Sequence, residues 1–286
     1  MFFHTERSLK EFCTFAIGGP AKYFCEVHSF DEMKQAFHFA REKKLPFFLL
    51  GKGSNILFDD LGYNGLVIQN RMEKCIWNKT EIVVESGYSF PLLGIKSAKK
   101  NLAGLEFAAS VPASVGGAVY MNAGAHGQEV KDTVEKVWFL EESGEEKVFS
   151  KEEMQFSYRF SFFQKKKGAI LKALFSLKED SRAREQQKNW ILQRMKTQPL
   201  KDKSAGCVFR NPSSELSVGK ILEECGLKGF SLGGASISCK HANFIVNKDK
   251  ASSQDVVKLI QEIQKKIYEK LQIRLQTEIK YVPYDG

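Results

Sequence analysis

The stretch from Gly104 to Glu129, GLEFAASVPASVGGAVYMNAGAHGQE, constrains this chain more than any other. Glycine and alanine dominate it, and most side chains between Ala108 and Ala125 are small. Backbone with so little cover can approach another molecule closely, and its glycines can adopt positive φ. Successive N–H groups in such turns form concavities that suit anions. Large side chains return only at the ends, with Leu105, Glu106 and Phe107 before and Gln128 and Glu129 after. Two readings fit: a backbone-lined bed for a large ligand carrying phosphate, or a tightly turned loop between core strands. Composition alone leaves both open.

A second glycine-rich turn lies upstream. GKGSN, Gly51 to Asn55, follows the apolar run LPFFLL, which reads as a buried strand. It is not a P-loop, because G-x-x-x-x-G-K-[ST] is absent. It is not the dinucleotide fingerprint either, because the third glycine would fall at Ile56. Paired with SVGGA (Ser114 to Ala118), it offers two backbone cradles for the diphosphate of a dinucleotide.

The remaining pattern alternates strands and helices. Ser29 caps a predicted helix over Asp31 to Lys44, with Met33, Ala36, Phe37 and Ala40 on one face. Pro91 to Lys100 reads as a helix with proline in its first turn. VEKVWFLE and EEKVFS are predicted strands, and Ser150 with Glu153 has capping-box spacing before a short helix. AILKALFSLKE reads as one long strand, and Ser181 to Lys196 as a charge-rich helix. Further on, a helix through Val218 to Cys225 ends at Gly226. Ser253 to Gln272 is the clearest helix, with Val256, Ile260, Ile263, Ile267 and Leu271 on one stripe. IRLQTEIKYV alternates as a closing strand, with Glu278 on its polar face.

A chain of 286 residues exceeds one typical domain. The expected division is 14–180 and 181–286. The net charge of +9 favours anionic partners. The basic residues are scattered, however, with Lys165 to Lys167 as a solvated turn, so no nucleic-acid face is expected. No apolar run approaches the roughly 20 residues that cross a bilayer, so no membrane partner is expected. The start, MFFHTERSLKEF, has no signal-peptide pattern, which points to the cytoplasm. The six cysteines match no zinc spacing, and with no signal-peptide pattern disulfides are not expected; most of the cysteines read as small core residues. His126 and His241 are isolated, and no metal is expected.

Three residues stand out chemically. Arg159 lies between Tyr158 and Phe160, as a stacked structural residue or an anion clamp. Cys207 sits in the polar loop SAGCVFRNP, where it is either an inert thiol or a proton donor. An ordinary thiol, with a pKa of about 8.5, is mostly protonated at neutral pH. Glu278 by itself reads as part of a solvated face.

Together the segments resemble the UDP-N-acetylenolpyruvoylglucosamine reductase family, the UDP-N-acetylmuramate dehydrogenases. They are TFAIGGPA (14–21), LLGKGSNILF (49–58), GLEFAASVPASVGGAVYMNAGA (104–125), YRFS (158–161), SAGCVFRNP (204–212), the run from GKILEECGLKG (219–229) through GGASISCKHANFIVN (233–247), and LQTEIKYV (275–282). They occur in family order from residue 14 to near the end of the chain.

The resemblance implies an α+β fold. An FAD-binding domain of the vanillyl-alcohol oxidase and CO-dehydrogenase flavoprotein type, with two subdomains, precedes a smaller α+β substrate-binding domain. It implies a cytoplasmic step of peptidoglycan synthesis, in which NADPH and non-covalent FAD reduce the enolpyruvyl group of a UDP-sugar to give UDP-N-acetylmuramate. FAD would lie against Gly51, Lys52, Gly53, Ser54, Asn55 and Ile56, and against Pro112, Ser114, Val115, Gly116, Gly117, Asn122 and Gly124. Arg159, Cys207 and Glu278 take the catalytic positions, with Tyr158 and Asn211 as substrate contacts. Arg159 would stabilise enolate-like charge, Glu278 would donate a hydrogen bond as a protonated carboxyl, and Cys207 would protonate the carbanionic carbon. A monomer is expected.

Two positions depart from the family pattern: Cys207 stands where Ser is commoner, and Cys13 where Asn is common. The short stretch between Arg159 and Cys207 resembles the subgroup without an inserted substrate-closing segment. A different flavoenzyme on the same cofactor domain would lack SAGCVFRNP and KHANFIVN. A nucleic-acid module would need the basic face that is missing.

Overall fold

The computed structural model describes residues 1–213 and 215–285. The chain forms two compact units, one of residues 1–3, 24–52 and 67–194 and one of residues 4–23, 53–66 and 195–286. Strands Pro20–Val27 and Tyr63–Asn70 each cross from one unit's segments into the other's. Both units mix helices and strands, which is the α+β class read from the sequence.

The first unit is built on a five-stranded antiparallel sheet. In spatial order its strands are Glu146–Ser150, Val134–Glu141, Gly168–Ser176, Glu81–Glu85 and Cys75–Asn78. Phe107, Phe139, Phe163 and Phe175 fill the core on its inner face. Helix α1 (Phe30–Glu42) forms where the Ser29 hydroxyl accepts from the Glu32 N–H at 3.2 Å. It buries Met33, Ala36, Phe37 and Ala40, the face the spacing predicts. Helix α2 (Phe90–Lys99) starts with proline in its first turn, as predicted. The glycine–alanine stretch is neither plain loop nor plain turn. A 3-10 turn (Glu106–Ser110) leads through extended residues into helix α3 (Val115–Tyr120), followed by a hairpin that pairs Gly124–Ala125 with Gln128–Glu129. Helix α4 (Ala183–Thr197) then carries the chain onward.

The second unit holds a four-stranded antiparallel sheet, in order Ser204–Cys207, Phe244–Asn247, Ala235–Ile237 and Ser231–Leu232. Helix α5 (Val218–Glu224) ends before Gly226 at φ 72. Helix α6 (Ser253–Leu271) opens with a capping box between Ser252 and Asp255 and stops at left-handed Gln272. Its buried stripe includes Leu259, while Leu271 in the last turn remains 43% exposed. Lys280–Val282 pairs in parallel with Ile56–Phe58.

Several expectations need correction. No helix follows Ser150. The Glu153 carboxylate does accept from the Ser150 N–H at 2.7 Å, but left-handed Gln155 ends the turn at once. AILKALFSLKE is not one strand. Its sheet pairing stops at Ser176, the Leu177 N–H turns to the Thr80 carbonyl, and Lys178–Glu179 pairs instead with Leu102–Ala103. Within LPFFLL only Leu50 is fully covered. The closing strand is shorter than its alternation predicts, because residues 276–280 divide their hydrogen bonds between two partners. Of the cysteines, only Cys13 and Cys25 are buried, and burial raises both thiols, that of Cys25 to about 12. Cys239 is exposed.

Candidate active site

The two glycine-rich stretches meet within the first unit. A Cβ added to Gly51 would collide with the Ser114 hydroxyl, so the close approach of these chains requires glycine. That same hydroxyl caps α3, accepting from the Gly117 N–H at 3.3 Å. A Cβ on Gly117 would meet only Ser114 Oγ, at 3.4 Å, which leaves a face of bare backbone open at the start of the helix. Ser110 Oγ, two residues before Pro112, is buried without a protein partner. A diphosphate-bearing cofactor needs such open backbone and uncommitted polar atoms, so these residues fit FAD. Gly53, Ser54 and Asn55 continue the turn into the second unit's segments.

Arg159 occupies a tight turn of the first unit. The Ser157 N–H donates to the Phe160 carbonyl at 3.1 Å and the Phe160 N–H to the Ser157 carbonyl at 3.0 Å. Arg159 stands within that turn at φ 55, in the left-handed region that is uncommon for long side chains. Its guanidinium donates from Nη2 to the Gly124 carbonyl at 3.1 Å and lies 4.9 Å above the exposed Tyr158 ring. The stacked and anion-facing readings are therefore compatible, since one edge binds backbone and one face covers tyrosine. Asn122 is fully buried. Its Nδ2 donates to the Ser157 carbonyl at 2.9 Å and to Glu129 Oε2 at 3.0 Å, while its Oδ1 accepts from the Lys131 N–H at 3.0 Å. Such commitments make it a brace for the Arg159 turn.

Cys207 and Glu278 lie in the second unit, on paired segments. Phe209 bridges Thr277, the Glu278 N–H donates to the Val208 carbonyl at 2.7 Å, and the Arg210 N–H donates to the Gln276 carbonyl at 2.9 Å. Glu278 thus stands opposite the residue that follows Cys207. Asn55 fixes the Glu278 backbone from the other side: its Nδ2 donates to the Glu278 carbonyl at 3.1 Å, and its own carbonyl accepts from the Lys280 N–H at 2.9 Å. Cys207 closes a bulge, with Ser204 paired to Val246 and Cys207 to Phe244, and Gly206 at φ 79 supplies the bend. The Thr14 hydroxyl donates to the Ser204 carbonyl at 2.6 Å. Asn211 is exposed, and its Oδ1 accepts from the Val218 N–H at 3.1 Å, at the start of α5.

Sequence reasoning missed Asn243 and Gln164. Asn243 is buried and grips the segment after Cys207. The Val208 N–H donates to its carbonyl at 2.8 Å, the Phe209 N–H to its Oδ1 at 3.0 Å, and its Nδ2 to the Phe209 carbonyl at 2.8 Å. Gln164 Nε2 donates to the Arg159 carbonyl at 3.0 Å and to the Tyr120 carbonyl at 2.9 Å. The available signal was an amide inside an apolar run, ANFIVN and FSFFQ, because a buried amide must find partners.

His241 lies against Phe244, and its Nδ1 accepts from the Asn243 N–H at 3.2 Å. Burial lowers its pKa. His126, at the tip of the hairpin, stacks on Trp190 with ring centroids 4.7 Å apart. Among the described residues, no group of three or more His, Cys, Asp or Glu is placed to hold a metal ion. Nor is any helix long and apolar enough to cross a membrane.

Comparison with known proteins agrees with this geometry. Residues 21–150 match the FAD binding domain family. Residues 198–282 match the family described as UDP-N-acetylenolpyruvoylglucosamine reductase, C-terminal domain. A UDP-N-acetylenolpyruvoylglucosamine reductase from Protochlamydia amoebophila is 48% identical, covering 99% of this chain and 95% of its own length. One from Chlamydia abortus is 45% identical over 96% of this chain and 93% of its own. The crystal structure of UDP-N-acetylenolpyruvylglucosamine reductase from Thermus caldophilus superposes with a TM-score of 0.84 at 35% identity, covering 99% of this chain and all of that one. The chain belongs to the UDP-N-acetylenolpyruvoylglucosamine reductase family.

Proposed function

We propose that Arg159, Cys207 and Glu278 carry the chemistry of this NADPH-dependent flavoenzyme, which reduces the enolpyruvyl group of UDP-N-acetylglucosamine enolpyruvate to UDP-N-acetylmuramate. The observation that supports this most is the pairing of the Cys207 and Glu278 segments, two motifs far apart in sequence with the acid on one and the thiol on the other. FAD, when bound, would supply the redox chemistry that carries hydride from NADPH to the enol double bond.

The chain's own residues then manage charge and proton. Gly51 to Ile56, with Pro112, Ser114, Val115, Gly116, Gly117 and Gly124, would hold the cofactor, and Asn122 braces the hairpin after α3 and the Arg159 turn. Hydride arriving at one carbon leaves negative charge on its neighbour and on the attached carboxylate. The Arg159 guanidinium is anchored along one edge by the Gly124 carbonyl and stabilises that charge as it develops. Glu278, its backbone held by Asn55 and Val208, donates a hydrogen bond to the same carboxylate. Cys207 donates its thiol proton to the carbanionic carbon, a general-acid role worth about 10²- to 10⁴-fold. Tyr158 and Asn211 contact the substrate. In this reading FAD binding belongs to residues 14–180 and substrate binding to 181–286, in a cytoplasmic monomer that takes part in peptidoglycan synthesis.

The test is purified protein with NADPH. A flavin absorbance spectrum, and NADPH oxidation that becomes rapid only when the enolpyruvyl UDP-sugar is added, is the expected result. A colourless protein, or NADPH oxidation indifferent to that sugar, overturns the reading.

A further inference from the structure

We infer that Gln164 is a positioning residue for enol reduction: its amide holds the peptide after Arg159 in the left-handed turn that aims the guanidinium. The inference rests on the role given to Arg159 above. Arg159 stands at φ 55 where turns favour Gly or Asn. A long side chain persists in that region only where surrounding bonds over-determine the backbone. The peptide leaving Arg159 is fixed by two bonds, one from its Phe160 N–H to the Ser157 carbonyl and one at its own carbonyl. Gln164 Nε2 donates to that carbonyl at 3.0 Å. The same nitrogen donates to the Tyr120 carbonyl at 2.9 Å, at the end of α3. One amide therefore ties the turn to the glycine-rich bed. The Ser161 hydroxyl reaches the same Tyr120 carbonyl at 2.7 Å, which fixes the segment between them.

Asn122 braces the turn too, but it is fully buried and also holds Glu129 and Lys131. Replacing it would disturb the whole hairpin. Gln164 sits half-buried in the 3-10 turn Phe162–Lys165, and its two carbonyl bonds both serve the Arg159 turn. Losing them frees the carbonyl end of that peptide, lets the left-handed turn relax and swings the guanidinium off its line. A displacement of about 1 Å at a charge-stabilising group can cost roughly 100-fold.

The experiment uses the full-length holoprotein and separates its two half-reactions. Gln164→Leu keeps the volume and removes both donors, and Gln164→Glu keeps the shape while losing the amide N–H groups. In both, reoxidation of the reduced flavin by the enolpyruvyl UDP-sugar should slow about 10- to 100-fold. Flavin reduction by NADPH and the flavin absorbance should stay within about twofold of the parent. Because Gln164 acts through Arg159, adding Gln164→Leu to Arg159→Lys should slow the sugar half-reaction no further. Unslowed sugar half-reactions, equal slowing of both half-reactions, or full additivity with Arg159→Lys each overturn the inference. If Arg159→Lys itself leaves the sugar half-reaction unslowed, the role of Arg159 fails instead, and Gln164 falls with it.

Discussion

The Arg159 turn and the Cys207 segment are both held by side-chain amides gripping backbone, but they draw those amides from different distances along the chain. Arg159 is braced by Asn122 and Gln164, and its guanidinium ends on Gly124, all within one stretch of the first unit. The segments of Cys207 and Glu278 are held by the amides of Asn55 and Asn243, with the Thr14 hydroxyl on Ser204, drawn from three separate parts of the second unit's sequence. The first arrangement closes short loops around a strained residue. The second gathers distant segments into unstrained extended pairing, which costs more loop-closure entropy before any bond rewards it. Substitutions in the two regions should therefore fail differently, the first in chemistry and the second in chemistry and folding together.

The largest expected effect lies at Cys207 itself. Cys207→Ala should slow turnover about 10²- to 10⁴-fold if the thiol is the proton donor. Cys207→Ser should stay far closer to the parent, and alkylation should inactivate the parent but not the serine variant. An alanine variant that reduces the enol at the parent rate would remove Cys207 from the mechanism. Asn243 comes next. Asn243→Leu deletes two side-chain hydrogen bonds and strands the buried N–H and carbonyl of Phe209, a loss of about 2–4 kcal/mol. Urea denaturation should show it as a lowered midpoint, with activity falling in parallel. An unchanged midpoint would mean that the segment after Cys207 is held by other contacts. Asn55→Ala should cost less, about 1 kcal/mol, because it removes one side-chain bond to the Glu278 carbonyl.

The contrast also explains what the sequence could disclose. Local patterns were legible: the Ser29 cap, the α1 face, the proline in α2 and the glycine after α5 all act within a few residues. The glycine–alanine stretch disclosed that backbone must come close, since Gly51 and Ser114 leave no room for a Cβ between them. It did not disclose that α3 forms within it, because a six-residue helix with two glycines owes its existence to packing and to the Ser114 cap. The closing strand was misread for a related reason. Alternation at Leu275 and Ile279 reports burial, which the structure bears out, but not which partner takes the hydrogen bonds. Arg159, Cys207 and Glu278 stood out by motif, whereas Gln164 and Asn243 act on backbone carbonyls and N–H groups, and their trace in the sequence is no more than an amide in or beside an apolar run.

The smallest expected effect separates the two regions by pH. His241, in the second unit, has its pKa lowered below the ordinary histidine value, chiefly by burial. Its Nδ1 accepts from the Asn243 N–H, so the folded protein holds the neutral ring with the proton on Nε2. The unfolded chain takes up a proton first as pH falls. The stability contributed by neutral His241 is therefore complete above about pH 6.5 and is lost as pH falls through the lower folded value. His126, in the first unit, is shifted the same way by burial, but its ring is covered mainly by Trp190 and the residue is otherwise exposed. Its share should be smaller. Thermal unfolding at pH 7.5 and 5.5 should show a lower midpoint in acid. His241→Asn should flatten that dependence more than His126→Asn does, and the sugar half-reaction should follow the His241 loss because Asn243 holds the residues beside Cys207. Equal slopes in both variants and the parent would show that neither histidine governs the acid limb and that the Asn243 grip does not depend on its neighbour's charge.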